Sequence, residues 1–509
     1  MSKVRLYARN LAANWIGQAA GLLVLFFLSP FVVHTLGNTD YGIWSLLNVF
    51  TGYLGVFDLG VRASTGRYII LYLGRGDHQH VDETLRTGLG FFSLISVLIL
   101  LVAIALGWAF PVLFPSSPQE YCSMVRVLLP LLALNVWLSA VSGAFASILA
   151  AHDRFDLSNG VDIAVLLLRT GATVAVLLAG HGIVGMTLVT IGAGVLAVVG
   201  TWWLARRVYP PTRVWPLRIS RERLRELFGF GIAAFIGNIA IRILGQADLV
   251  LVGILFSVQA VAVYSVGAML VWYTTPFIDH ISGTIFPTIQ RDFAKDDIDA
   301  VRWTYLRLIT ISLVFGLPVY LGFVFFGDSF IDLWMGKEFS EAVIIIIILS
   351  ASRLALLVPT GAGLVLYAMG NVWFTTLVAV VESLLKVALA LVLVMALGWG
   401  MPGIAAGTLV ALLLTRGVLF PWYAHRRMGL KGRTFAIRAV LPGLLCGAAF
   451  AGWCILVRMV VPGSTWLLFA AQVALALLGY APLALWLLVP RSDRMRVWGF
   501  LGVPAARKA

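Results

Sequence analysis

The sequence predicts an all-α integral membrane protein of about fourteen transmembrane helices, and three observations carry that expectation. Hydrophobic residues make up 61% of the chain and charged residues 12%, with a mean hydropathy of +0.96, against roughly 45–50% and ~25% in an ordinary soluble domain. Long apolar runs, such as 343–349 and 387–397, recur along the chain. The cations gather in alternate loops. An unpaired amide costs several kcal/mol in hydrocarbon, so a spanning chain is helical or a closed barrel, and runs of this length select helices.

A helix needs about 20 apolar residues to cross ~30 Å of hydrocarbon. Hydropathy places such helices at 11–33, 41–70, 88–113, 122–150, 157–179, 183–205, 227–255, 260–289, 303–326, 342–369, 372–397, 402–424, 435–459 and 465–489. Lys3, Arg5 and Arg9 precede the first of them. That run exceeds the ~7–15 residues of a signal-peptide core, so it reads as an uncleaved first helix. Cys122, Cys446 and Cys454 lack metal-ligand spacing and read as buried thiols, with neither a disulfide framework nor a metal site expected.

A formal charge of +14 would point to nucleic acid in a soluble protein, but here the placement of the cations matters more. One set of loops holds Lys3, Arg5 and Arg9; Arg75 and Arg86; Arg154; Arg206 to Arg225; Arg291, Lys295 and Arg302; Arg426, Arg427, Lys431 and Arg433; and Arg491, Arg494 and Arg496. The opposite set offers Lys337 as its only clear cation. The rich set is cytoplasmic, so both termini lie inside, which requires an even number of helices. The outer loops are short, and no nucleic-acid partner is expected.

The two halves echo each other. Ile16-Gly17-Gln18 resembles Ile236-Gly237-Asn238, and Ile43-Trp44-Ser45-Leu46 resembles Val263-Tyr264-Ser265-Val266. Gly182-Ile183-Val184-Gly185 opens a helix ending in Arg206-Arg207, as Gly400-Met401-Pro402-Gly403 opens one ending in Arg426-Arg427. Six helices per repeat return the chain to its starting side, giving two lobes related by an axis along the membrane normal. The expected organisation is a first lobe at 1–210, a linker at 211–225, a second lobe at 226–430, and two added helices with a basic tail at 431–509. The linker reads either as an extended stretch leading into a short basic amphipathic helix on the inner surface or as a plain solvated connection.

Ionisable residues at mid-bilayer cost at least ~2.5–3.5 kcal/mol each and should face a cavity or a partner. Arg169, Arg242, Arg353, Lys386 and Arg416 fall near the middle of their spans, with Asp58, Asp248 and Glu382 as acidic candidates for ion coupling. Aligning Ala151 with Ala368 pairs Arg169 with Lys386 across the repeat. Two such cations suit a diphosphate, one as a bidentate fork and one as a point charge. The competing reading for Lys386 is a local pair with Glu382, four residues earlier on the same helix face. Arg62 and Arg67 lie close enough to the inner interface to snorkel.

Leu36-Gly-Asn-Thr-Asp-Tyr-Gly42, Asp58-Leu-Gly60, Leu333-Trp-Met-Gly-Lys-Glu-Phe339, Pro359 and Tyr367-Ala-Met-Gly370 resemble the polysaccharide-transport branch, with its O-antigen flippases, of the multidrug/oligosaccharidyl-lipid/polysaccharide (MOP) exporter superfamily. The resemblance implies two six-helix lobes around a central cavity, plus two C-terminal helices. It also implies a flippase for undecaprenyl-diphosphate-linked oligosaccharide in a bacterial inner membrane. Its partners would be that lipid-linked oligosaccharide, H+ or Na+ as coupling ion, membrane lipids and other polysaccharide assembly proteins. No cofactor is expected, and no Gly-x-x-x-x-Gly-Lys-Ser/Thr loop is present. Two relatives of this reading stay open: a lipid-linked peptidoglycan precursor flippase and a multidrug extruder of the same superfamily. An enzyme would need an outer carboxylate; Asp328 and Asp332 read instead as part of a helix-capping turn.

Overall fold

With water absent from hydrocarbon, each backbone amide must bond within its own segment, and among the described residues every regular element is a helix. The computed structural model describes the backbone of residues 3–58, 60–212 and 219–490, and their side chains except at 3–19, 58, 229–244 and 276–282. The helices are α1 (Lys3–Leu54), α2 (Val61–Gly74), α3 (His78–Leu113), α4 (Gln119–Ala151), α5 (Phe155–Leu178), α6 (Gly182–Val208), α7 (Arg221–Leu255), α8 (Val258–Ala294) and α9 (Ile298–Trp334). They continue with α10 (Ala342–Leu357), α11 (Ala362–Ala368), α12 (Val372–Leu391), α13 (Met401–Leu412), α14 (Phe420–Met428), α15 (Gly432–Phe435), α16 (Leu441–Val460) and α17 (Trp466–Leu487). Three π-helical stretches, Val392–Ala396, Leu413–Leu419 and Ala436–Val440, extend or join the later helices.

Among the described residues eleven helices are long and apolar enough to cross a membrane, and α10 with α11, bent by 50°, makes a twelfth. Helix α1 breaks at Gly37, whose φ of 74° and ψ of 170° are not helical, so its two arms count separately. With α7, 35 residues long, the fourteen expected spans are all present.

Three spans differ from their sequence reading. The second, expected unbroken over 41–70, is interrupted by a 3-10 turn at Gly55–Asp58 and by Gly60 at φ 73°, a conformation that favours glycine. The tenth, expected over 342–369, breaks after Leu357 and restarts beyond Gly361. The basic stretch at the end of the linker is no separate surface helix: it forms the first turns of α7, where the Ser220 hydroxyl caps the Arg223 amide at 3.4 Å. Linker residues 213–218 lie outside the described residues, as does the tail from 491. Asp328 belongs to α9 itself, held by Arg458 of α16, rather than to a capping turn.

Packing divides the chain into Met1–Ala262 and Val263–Ala509. In the first unit α4 packs against α3, α6 and α2, while α5 lies on α6 and α1. Helix α7 joins this unit through α1, α2 and α3. Arg223, 8% exposed, meets Glu226 at 2.7 Å and also bonds Tyr72 of α2. A Cβ on Gly42 would fall on the Val258 carbonyl, so small residues permit backbone contact here as in other membrane interfaces. In the second unit α9 packs on α10, α16 and α17, and α13 on α12 and α10.

The structure carries the internal echo further. Asp77 caps α3 and Asp297 caps α9, accepting from His80 and Ala300 amides at 3.2 and 2.9 Å. Each follows a residue of positive φ, Gly76 at 72° and Asp296 at 56°. Val81, Thr84, Leu85 and Leu89 are buried in α3, as Val301, Thr304, Tyr305 and Ile309 are in α9. These pairs share the spacing of the two sequence matches at Ile16/Ile236 and Ile43/Val263, so α3 and α9 match in position, cap and buried face.

The break at 358–361 contains Pro359, which removes a helical donor, and Gly361. Gly361 has a φ of 89°, and a Cβ there would lie 2.6 Å from Leu308 Cδ2. Left-handed backbone costs a residue with a Cβ about 1–2 kcal/mol before any clash. Gly361→Val is therefore expected to lower the melting temperature of the detergent-solubilised protein by several degrees, whereas Gly370→Ala, with positive φ but open space, should cost less.

Candidate functional site

Helix α12 is apolar apart from Thr375 and Thr376 near its start and a buried polar group: Glu382, Ser383 and Lys386 are 1%, 3% and 2% exposed. Gly407 lets α13 come close, since a Cβ there would sit 2.7 Å from the Ala390 nitrogen. Beyond α13 the chain widens into the π-helical Leu413–Leu419, a geometry common at functional sites. It carries Thr415 and Arg416 towards Glu382. Both carboxylate oxygens of Glu382 accept from Arg416 Nε at 3.0 Å, and one also accepts from Thr415 Oγ1 at 2.8 Å.

The pairing uses only one edge of the guanidinium. Arg416 remains 39% exposed in its side chain against 1% for Glu382, and it lines a cavity of about 410 Å³. Arg353 of α10 lines the same cavity, as do Thr275, Tyr320, Thr360 and Phe420. The broken span forms part of the wall: Leu356, Leu357, Pro359 and Gly361 all border it. Two arginines beside hydroxyls in a pocket of this size suit an anion that also offers sugar or lipid surface.

Of the cations singled out from sequence, Arg353 and Arg416 are thus brought together. Lys386 is buried one turn beyond Glu382 and is absent from the cavity wall. Arg169 is exposed on α5, its guanidinium donating to Thr190 Oγ1 of α6 at 3.4 Å. Asp248 is 3% exposed on α7. The side chains of Asp58 and Arg242 lie outside the described residues. Sequence reading missed Tyr320, Thr275 and Thr360, because hydroxyls in apolar helices carry no charge signal. Among the described residues no His, Cys, Asp or Glu group is placed to hold a metal.

The fold is that of membrane exporters in the MOP superfamily. It resembles an inward-facing multidrug resistance MATE transporter, with a TM-score of 0.65 at 15% identity over 80% of this chain and 94% of that one. It equally resembles the lipid II flippase MurJ in an inward closed conformation, at TM-score 0.66 and 13% identity over 93% and 97%. The family described as polysaccharide biosynthesis protein matches residues 32–344, and the chain belongs to that family. The membrane protein EpsK of Bacillus subtilis (strain 168) is 21% identical over 494 residues, covering 96% of both chains. A putative O-antigen transporter of Shigella flexneri is 21% identical over 340 residues, 65% of this chain and 77% of that one.

Proposed function

We propose that this protein is a flippase that carries undecaprenyl-diphosphate-linked oligosaccharide from the cytoplasmic to the periplasmic leaflet of a bacterial inner membrane by alternating access. The observation that carries this reading is the cavity shared by Arg353 and Arg416, in a chain whose relatives include a putative O-antigen transporter. Glu382 fixes Arg416 by its Nε edge and leaves the Nη groups for a ligand. Guanidinium forks bind phosphate in a bidentate manner, so the site lowers the cost of bringing a diphosphate into the membrane. An ion gradient of H+ or Na+ is the proposed driving force, with the buried carboxylates Asp248 and Glu382 as its candidate carriers.

The test compares lipid-linked sugars in inner-membrane extracts of cells with and without the protein, using a membrane-impermeant glycan probe to score exposure. Accumulation of an unexposed intermediate on deletion is the expected result. The likeness to MurJ favours one second reading, a peptidoglycan precursor flippase; in that case the trapped lipid carries the peptidoglycan sugars. An unchanged lipid pool with raised drug sensitivity would favour a multidrug extruder instead.

The positive-inside pattern places the α2–α3, α8–α9 and α14–α15 connections in the cytoplasm. All three native cysteines are buried, so single introduced cysteines report cleanly. Glu338→Cys in intact spheroplasts is expected to react with an impermeant maleimide, and Lys431→Cys only after lysis. The reverse pattern would invert the orientation.

A further inference from the structure

Near one end of the α3–α4 hairpin, Gly107 lets the two helices touch. A Cβ there would sit 3.1 Å from Arg126 Cα, so the backbone of α4 lies against α3. Trp108, the next residue, is thereby brought to the Arg126 guanidinium, whose central carbon stands 4.3 Å from the ring centroid. Trp108 is 63% exposed and shares a stripe of α3 with Leu101, Ile104 and Val112, all exposed and spaced as one helix face requires. Val127, beside the arginine on α4, is exposed as well. A face this apolar is a surface for lipid tails.

An arginine on such a face needs an anion. Trp108 lies five residues before the end of α3 and Arg126 seven after the start of α4, roughly 7–10 Å along each axis, which puts the pair just inside the hydrocarbon. The orientation proposed from the positive-inside pattern makes this the periplasmic end, where cations are scarce. Among the described residues its Nε has no hydrogen-bond partner and its guanidinium no carboxylate partner. The ring face attracts the cation but recovers only part of what it loses on leaving water. Arg207 over Trp203 and Arg307 over Trp303 differ in origin: each pair is four residues apart on one helix, where periodicity alone brings them together. The Arg126 pair requires two helices in contact. Sequence reading passed over it because the apolar span at 122–150 absorbed the charge.

We propose that Arg126, seated on Trp108, binds the phosphate of an anionic phospholipid of the outer leaflet, whose acyl chains lie along the exposed stripe of α3. A guanidinium held on a ring face still presents its N–H edges, and paired donors match phosphate oxygens. The lipid supplies the negative charge that the protein does not. It also bridges α3 and α4 at their outer ends, where Gly107 keeps the two backbones together. The site shares no residue with the arginine cavity, so it serves a resident lipid and not the cargo.

The test places the purified full chain in nanodiscs carrying either a photoreactive phosphatidylglycerol or a photoreactive phosphatidylcholine with the same tails, and maps the adducts by peptide mass spectrometry. In the parent protein, adducts on 101–112 and 123–127 are expected to be about tenfold more abundant with the anionic probe, as a charge-assisted hydrogen bond to phosphate implies. Arg126→Gln should abolish that excess. Trp108→Leu keeps the charge and removes its seat, so the excess should fall about threefold; this variant also decides the matter if the glutamine variant fails to fold. Equal labelling by the two probes in the parent protein overturns the proposal, since tails alone would then account for the adducts. An excess that persists undiminished in folded Arg126→Gln, or in Trp108→Leu, overturns it as well.

Discussion

Arg353→Ala is expected to reduce glycan export at least tenfold while leaving the protein folded and in the membrane. Arg353 lines the cavity in the second unit without being fully buried, so its loss should be felt more by a ligand than by the core. Hydrogen bonds from charged groups contribute about 1.5–3 kcal/mol each, and each 1.4 kcal/mol is a factor of ten. Arg416→Lys tests the geometry separately. It keeps the charge but replaces the fork that serves Glu382 through Nε and the cavity through Nη, and a point charge cannot serve both. Export should fall in this variant too, with a smaller fall than in Arg353→Ala. The measurement is the fraction of lipid-linked glycan exposed to the impermeant probe, normalised to protein in the membrane. Normal export in both variants would remove the cavity from the pathway.

The sequence made the spans legible because hydropathy and backbone saturation act on every residue alike. It made the breaks less legible because they depend on single residues in context. Gly60 and Gly361 adopt positive φ, but Gly21 and Gly245 have ordinary φ within their helices and open space around them; composition does not tell these apart. The boundary near α7 was misjudged for a related reason: the charges of 220–226 look solvated, yet Arg223 is buried against Tyr72 and Glu226.

The candidate site shows the same limit. Sequence spacing offered Glu382 the neighbour four residues on, since helix periodicity is local information. What spacing could not offer is Arg416, a partner 34 residues away, whose approach needs the glycine contact at Gly407 and the π-helical turn that follows. The proposed alignment of Arg169 with Lys386 places two residues whose surroundings differ: one is exposed beside Thr190 and the other is 2% exposed. The capping aspartates at 77 and 297 match each other more clearly than the charges within the helices do.

Glu382→Leu is expected to destabilise the protein by about 3 kcal/mol, because breaking a buried ion pair strands the partner charge. Arg416 can turn its guanidinium into the cavity, since 39% of its side chain is already exposed. Lys386 has no such escape at 2% exposure, and it lies one helical turn from the lost carboxylate. The combination Glu382→Leu with Lys386→Met removes both buried charges and fills the space with apolar atoms, which is often neutral or stabilising. The double variant should therefore regain at least half of the stability lost in Glu382→Leu, read as the midpoint of denaturant or thermal unfolding in detergent. Additive losses in the two single variants would show that Lys386 does not depend on Glu382. Export in the double variant then separates the roles of the lysine: a stable double variant that still exports makes Lys386 a partner within the bundle, and one that is stable but inactive makes it part of the path of the substrate.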